Sequence, residues 1–346
     1  MDDLFGKTMM WLGRRFRSPA FILLVVLISF PSAGKGETTD FKSALERAKR
    51  ATIGVLEDTQ DQRTSDKPGK IAIRGTGFHL RDGYLVTARH AVERNDPSGK
   101  HIPSHIRVIT NELNELSAAL VGDSAYTDVV VYRIEEKHRS ALLTFTPFAS
   151  QEATAGDDVF TVGYPLGWGP TMAFGRLGNT NTFLQTIDTR LLQADLSVCS
   201  GNSGGAMYNA AGEVVGLMHA IIQTDKDPQE GHCSRLAFAV PAPLAQRIVQ
   251  AALDGKPLAF SRLGLHMTTV KDGIRWRVAV RDVVEPAKSA GLMKTDILVA
   301  IDDIDIVDAA QLKNYLIERT NPGQQVRIKV RRGDVDLTFP VTLAGG

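Results

Sequence analysis

From Ile53 onward the chain is written in short runs of apolar and β-branched residues, broken by glycine, aspartate and asparagine. GVLEDTQ, KIAIRGTGFHL, GYLVTARHAV, IRVITNEL, LSAALVGD and DVVVYRIE come first; DVFTVGYP, FLQTID, EVVGLMHAI and AFAVP follow. Each has strand length, and no regular alternation with helices separates them, so they predict antiparallel sheets or barrels. Asp82-Gly83 in HLRDGYLV marks a two-residue hairpin turn. Helical spacing survives in TTDFKSALERAKRATIGV, with Asp40 as N-cap and Phe41, Ala44, Leu45 and Ala48 on one face, and in APLAQRIVQAAL, which ends near Gly255. Past Leu258 a second pattern begins. SRLGLHMTTV, WRVAVRDVV, DILVAIDD, QVRIKVRRG and VDLTFPVTL read as strands, with helical stretches at EPAKSAGL and DAAQLKNYLIER, which together make one small domain.

The first residues differ from both patterns. Lys7, Arg14, Arg15 and Arg17 precede the apolar run AFILLVVLISF and the small residues of PSAGKGE. This is the layout of an export signal within residues 1–34, either cleaved or kept as a membrane anchor through residues 19–30. Both alternatives place the rest of the chain outside the cytoplasm. The expected division is then 37–253 for the first β domain and 258–346 for the second, with a boundary in DGKPL. Forty basic residues against 39 acidic ones, net +1, give no support for a nucleic-acid partner. Two cysteines leave one possible bridge. No metal-ligand spacing and no phosphate-binding loop is visible, so no metal and no cofactor is expected.

Candidate chemistry lies in SVCSGNSGGAMYN, residues 197–209. A serine hydroxyl is a weak nucleophile and needs a base, a group to orient that base, and donors for the oxyanion. Glycines around Ser203 let backbone N–H groups approach a reacting carbonyl, and Gly201 and Ser203 are the expected donors, with Asn202 shaping the turn between them. His90 follows the apolar strand of LVTARHAV and suits the base; His79, His101, His105 and His219 are rivals. Asp128 heads the apolar run of TDVVVYRI and suits the orienting acid; Asp123 is a rival in a turn-like setting. The chain order His90, Asp128, Ser203 is that of trypsin-like double-barrel proteases.

With GTGF, LVTARHAV, VGDSAYTDVVVYRI, VGYPLG, the long run LQTIDTRLLQADLSVCSGNSGGAMYNAAGEVVGLMHAII, and LAFAVPAPLAQRIV in sequence order, residues 50–250 resemble the protease domain of HtrA/DegP-type serine proteases. The remainder resembles their PDZ domain. The resemblance implies a chymotrypsin-like double β-barrel followed by a small α+β domain. It carries the triad onto His90, Asp128 and Ser203 and the oxyanion hole onto Gly201, Asn202 and Ser203. Pocket walls are expected at Ser197 and along Leu217, Met218, His219 and Ala220, and the loop that receives a peptide's C-terminal carboxylate at Leu263, Gly264 and Leu265.

There are departures from the family pattern. Ala88-Arg89-His90 stands where the family has Asn-Ala-His, Ala206 where it has proline, and Thr295 where it has glycine. The loop at residues 57–70 is short, which favours a homotrimer over a larger cage. Phe41 sits where the family keeps trimer contacts, or packs on its own barrel. Trypsin-like proteases at large carry a disulfide that starts four residues before the nucleophile, which implies a Cys199–Cys233 bond, although HtrA-type proteins usually lack it; two separate thiols are the alternative. The function implied is a periplasmic, ATP-independent serine endopeptidase acting on unfolded or misfolded envelope proteins, whose partners are polypeptide substrates and C-terminal peptides. The alternatives are a PDZ-regulated signalling protease with one dedicated substrate, and a chaperone or binding module with little proteolysis.

Overall fold

Two six-stranded barrels carry the first domain. A computed structural model describes residues 41–57, 72–97, 99–142, 144–182, 189–221, 233–256 and 259–345. The apolar N-terminal run, Asp40, most of the short loop at 57–70 and the strand expected at FLQTID lie outside these residues. Helix α1 (Phe41–Ala51) leads into the first barrel: β1 (Thr52–Leu56), β2 (Ile73–His79), β3 (Tyr84–Ala88), β6 (His105–Thr110), β7 (Glu115–Ser124) and β8 (Val129–Ile134), closed in the order β1-β2-β3-β8-β7-β6. One-turn helix α2 (Arg89–Val92) follows β3, and a small hairpin of β4 (Arg94–Asp96) and β5 (Gly99–His101) follows that. The second barrel comprises β9 (Asp158–Gly163), β10 (Thr171–Thr182), β11 (Leu191–Cys199), β12 (Ala206–Tyr208), β13 (Val214–Ile221) and β14 (Cys233–Pro241), closed as β10-β11-β14-β13-β12-β9. Helix α3 (Ala242–Leu253) ends it.

The near-continuous apolar run of β8 has a simple cause. Val130, Tyr132 and Ile134 point into the first barrel with Ile53, Leu85 and Val108. The alternate residues Val129 and Val131 join Phe78, Val86, Phe160, Leu217 and Phe238 in the layer between the barrels, against Leu244 and Ile248 of α3. With both faces covered, the hydrophobic alternation of a half-exposed strand disappears. The turn between β2 and β3 has positive φ at both Asp82 (54°) and Gly83 (79°), the two-residue form that matches strand twist.

The second domain is a sheet ordered β16 (Leu265–Asp272), β17 (Arg275–Val283), β18 (Ile297–Ile301), β20 (Gln325–Arg332), β21 (Val335–Thr342), with β19 (Ile304–Asp305) paired to β18 and a small β15 (Ser261–Arg262)–β22 (Ala344–Gly345) ladder beside it. Helix α4 (Ala309–Arg319) is N-capped by Asp308, whose carboxylate accepts the Gln311 N–H at 2.7 Å. The helix expected at EPAKSAGL does not form; residues 285–291 are consecutive turns. The Lys288 and Ala290 N–H groups donate to the Val284 and Pro286 carbonyls, but Gly291 turns left-handed (φ 94°) before a regular helix is established.

The α4 helix sits against the second barrel. Glu318 clasps the Arg190 guanidinium with both oxygens, at 2.7 Å to Nε and 2.7 Å to Nη2, and both side chains are buried. Asn314 accepts the Arg190 backbone N–H at 3.1 Å, and Arg247 of α3 donates to the Ile317 carbonyl.

Thr295, in the glycine position of the family pattern, holds φ 76° and is exposed. A β-branched residue in that region is strained, and this one packs against little that would offset the strain. Thr295→Gly is expected to raise the unfolding midpoint of the full chain, by about 1 kcal/mol of stability. A lower midpoint in thermal melts would show that the threonine side chain is stabilising.

Candidate active site

Antiparallel register builds the first half of the site. Ala88, the last residue of β3, pairs with Val129, the first of β8. The residues just past one end and just before the other therefore meet. The Arg89 N–H donates to the Asp128 carbonyl at 2.9 Å, and the His90 N–H donates to Asp128 Oδ1 at 2.8 Å. His90 Nδ1 then lies 2.6 Å from Asp128 Oδ2. Asp128 itself sits at φ 57°, a left-handed conformation that aspartate tolerates better than most residues. Its side chain is buried while the His90 ring stays half-exposed.

The second half comes from the turn between β11 and β12. Ser203 is held there by backbone bonds on both sides: its carbonyl accepts the Thr76 N–H at 2.9 Å, and the next residue, Gly204, donates to the Met218 carbonyl at 2.8 Å. Gly204 has φ 85°, and a Cβ there would lie 2.3 Å from the Thr76 carbonyl and 2.5 Å from the Ala88 nitrogen. The serine turn thus presses on the end of β3, where His90 begins. Gly201 is equally constrained: at φ 99° a Cβ would stand 2.3 Å from the Tyr164 carbonyl. Asn202 shapes the turn through its side chain, accepting the Cys199 N–H at 3.1 Å, and its carbonyl accepts the Gly205 N–H at 3.0 Å. The Ser200 carbonyl accepts the Leu166 N–H at 2.7 Å.

Several expectations are corrected. Leu217 and Met218 are not walls of an open pocket; both are core side chains, one between the barrels and one inside the second. The described side chains of β13, Val214 to His219, are all buried, so Leu217 and Met218 have no exposed side to offer. His219, expected as pocket wall or rival base, is buried with its Nδ1 2.6 Å from Asp128 Oδ2, so two histidines share one carboxylate oxygen. Ser197 is exposed on β11, and the side chain of Ala220 lies outside the described residues. The other rivals have separate partners. His79 is buried on the Thr144 carbonyl at 2.6 Å, His101 pairs with Asp96 at 3.4 Å, and Asp123 accepts from Arg89 Nε at 2.8 Å.

Burial alone would push the Asp128 carboxyl up, but the hydrogen bonds from His219 and His90 outweigh it and hold it well below the usual carboxylate range. Asp128 is therefore ionised wherever an imidazole can be neutral. Among the described residues His90, Asp128 and His219 are the group whose donor atoms could together hold a metal ion.

Sequence reasoning missed Thr76. Fully buried, it donates from Oγ1 to the Gly201 carbonyl at 2.6 Å and accepts the Tyr164 N–H on the same oxygen at 3.0 Å, tying the first barrel to the glycine turn. Its only signal was its place between the glycines of GTGF. Cys199 and Cys233 form a disulfide, with Cα atoms 3.9 Å apart. Cys233 opens β14, directly opposite Cys199 in register. In the second domain, Leu263 is buried, Gly264 takes φ 82° and accepts the Val284 N–H at 2.9 Å, and Leu265 opens β16, the sheet's edge strand.

Comparison with known proteins gives matching assignments. Residues 75–217 match the trypsin-like peptidase domain and residues 261–343 the PDZ domain. The chain is 30% identical over 288 residues to a probable periplasmic serine endoprotease DegP-like of Rhizobium meliloti, covering 79% of this chain and 54% of that protein. It thus spans about half the length of the DegP-like relatives it matches. It is 27% identical over 322 residues to the serine endoprotease DegS of Salmonella typhimurium, covering 88% of this chain and 85% of that one. In fold it is similar to the HtrA-type protease AlgW with tripeptide (TM-score 0.67, 24% identity, 88% of this chain and 97% of that one). It is also similar to a serine endoprotease from Yersinia pestis (TM-score 0.59, 23% identity, 89% and 98%). The double barrel with its Asp128–His90 pair and glycine-flanked Ser203 thus matches a trypsin-like peptidase domain over residues 75–217, and the sheet that follows matches a PDZ domain over residues 261–343, an order similar to that of the HtrA-type and DegP-like proteases.

Proposed function

We propose that the chain is an exported serine endopeptidase that cleaves unfolded or misfolded envelope proteins. In this reading Ser203 attacks the peptide carbonyl, His90 takes the serine proton and returns it to the leaving amine, and Asp128 fixes the His90 tautomer. The Gly201 and Ser203 N–H groups receive the oxyanion. The observation that carries the reading is the two-point grip of Asp128 on His90, one oxygen on the backbone N–H and the other on Nδ1. That grip leaves Nε2 as the ring's basic nitrogen. Commitment of the Ser200 carbonyl to Leu166 supports the oxyanion role, because a carbonyl so engaged is drawn away from the Ser203 amide. The periplasmic location rests on the relatives' names and on the N-terminal charge pattern.

PDZ recognition of apolar C-terminal peptides is supported by β16 lying at the sheet edge, beside the Gly264 turn. A homotrimer is supported by an exposed aromatic pair: Phe41 and Phe174, 45% and 53% exposed, meet edge-on above the buried Phe160, beside a groove of about 570 Å³. One observation favours the regulated variant of this reading. The buried Arg190–Glu318 pair joins α4 to the residue immediately before β11, the strand that runs into the serine turn. Occupancy of the PDZ groove then has a mechanical route to the oxyanion donors.

Ser203→Ala is expected to lower casein and peptide hydrolysis by roughly 10⁶-fold with an unchanged melting curve. Normal turnover in that variant would remove Ser203 as nucleophile. Asp128→Asn should cost roughly 10⁴-fold in kcat, since an amide presents a donor where the His90 Nδ1–H needs an acceptor; a change of less than tenfold would show that another group orients the base. A peptide with an apolar C-terminal carboxylate should bind the full chain more tightly than its amide. Equal affinities by calorimetry would rule out the carboxylate loop.

A further inference from the structure

A triad needs one imidazole on its carboxylate, and this site has two. The Nδ1 atoms of His90 and His219 each lie 2.6 Å from the same oxygen, Asp128 Oδ2, with the rings edge to face at a centroid separation of 5.7 Å. The three donor atoms all fall within 4.8 Å of one another. They come from three elements, α2, the residue before β8, and β13, so the backbone holds them on different sides of a common centre. Asp128 and His219 are buried, whereas the His90 side chain is 45% exposed and supplies the way in.

We propose that His90, Asp128 and His219 form a binding site for a divalent transition-metal ion, of which Zn²⁺ is the type, and that occupancy switches the peptidase off. The inhibitory half rests on His90 being the base; the binding half does not. Two imidazole nitrogens and one carboxylate favour Zn²⁺, Co²⁺ or Cu²⁺ and disfavour Mg²⁺ and Ca²⁺, which take oxygen ligands. Zinc bonds of about 2.0–2.2 Å in a tetrahedron set the donors roughly 3.3 Å apart. Both carboxylate contacts are 2.6 Å, so the ion enters when each opens by about 0.7 Å, through rotation of the half-exposed His90 ring and a small shift of the His219 ring. Water fills the fourth position.

The inhibition follows from the tautomer. At rest the proton on His90 Nδ1 is held by Asp128, and the Nε2 lone pair is free to accept the serine proton. Coordination uses the Nδ1 lone pair, so that proton moves to Nε2. His90 then offers an N–H where the reaction needs an acceptor. On each imidazole, His219 as well as His90, one Nδ1–H bond breaks and one Nε2–H bond forms, so no proton is gained or lost overall and a chelator reverses the state. His219 is what turns a two-ligand contact into a three-ligand site.

The binding test titrates Zn²⁺ into full-length Ser203→Ala by calorimetry, which reads the site without turnover. One site per chain is expected, weakened at least about tenfold by adding His219→Thr. Co²⁺ in the same protein should give the visible absorption of a four-coordinate ion, lost in the double variant. In the activity arm, Zn²⁺ should abolish peptide hydrolysis by the wild type, EDTA should restore it, and Ca²⁺ should have no effect; His219→Thr should keep its own basal rate at the same Zn²⁺ concentration. If His219→Thr melts abnormally, His219→Gln, closer in size, carries the comparison. Zinc binding that survives loss of His219, or a Co²⁺ spectrum free of four-coordinate bands, overturns the site. Stoichiometric binding with unchanged wild-type hydrolysis overturns the switch. Failure of Ser203 as nucleophile would appear separately, as turnover in Ser203→Ala without metal.

Discussion

The contact on which the site depends is the buried Asp128 carboxylate. A charge removed from water is costly unless it is paired and hydrogen-bonded. Here the backbone N–H of His90, the His90 ring and the His219 ring all converge on it. Those donors fix the imidazole in place and keep the acid ionised despite burial. Because its folded pKa is depressed, Asp128 contributes stability above the ordinary carboxylate range, and that contribution is lost as pH falls through the folded value. Within the range where imidazoles titrate, the charge beside His90 is constant.

The second constraint is the joint between the barrels. Thr76 reaches from β2 to donate to the Gly201 carbonyl, and its backbone N–H donates to the Ser203 carbonyl. The serine turn is therefore anchored on the opposite barrel from the one that contributes its sequence. The two glycines are required there by space as much as by φ, since backbone atoms occupy the volume a Cβ would fill. On the other side the Cys199–Cys233 bond joins neighbouring strands just upstream of the turn. It clamps the end of the β11–β14 ladder where residues 222–232, between β13 and β14, lie outside the described structure.

The PDZ domain adds a third. Arg190, largely buried, donates to Glu318 of α4, to the Thr180 carbonyl and to the rim residue Glu152. Removing Glu318 while α4 stays docked would leave the Arg190 charge poorly compensated, a loss typically of about 3–5 kcal/mol.

By itself the sequence determined the strand-rich class, the two-domain layout of its patterns, and the triad candidates. Each of these is written in local context: a histidine after an apolar strand, an aspartate before one, a serine among glycines. Local pattern could not supply register. Only the pairing of Ala88 with Val129 brings His90 to Asp128, and only the pairing of Cys199 with Cys233 makes the disulfide a cross-strand link. The apolar face of β13 misled for the same reason: Leu217 and Met218 read as pocket walls until closure of the barrel put them in its core. EPAKSAGL read as helix from composition, but the left-handed Gly291 ends it after consecutive turns. His219 stands 91 positions from Asp128, and no spacing rule links them. Side-chain convergence across a closed barrel is a property of three-dimensional packing, and the chain carries it in no contiguous stretch.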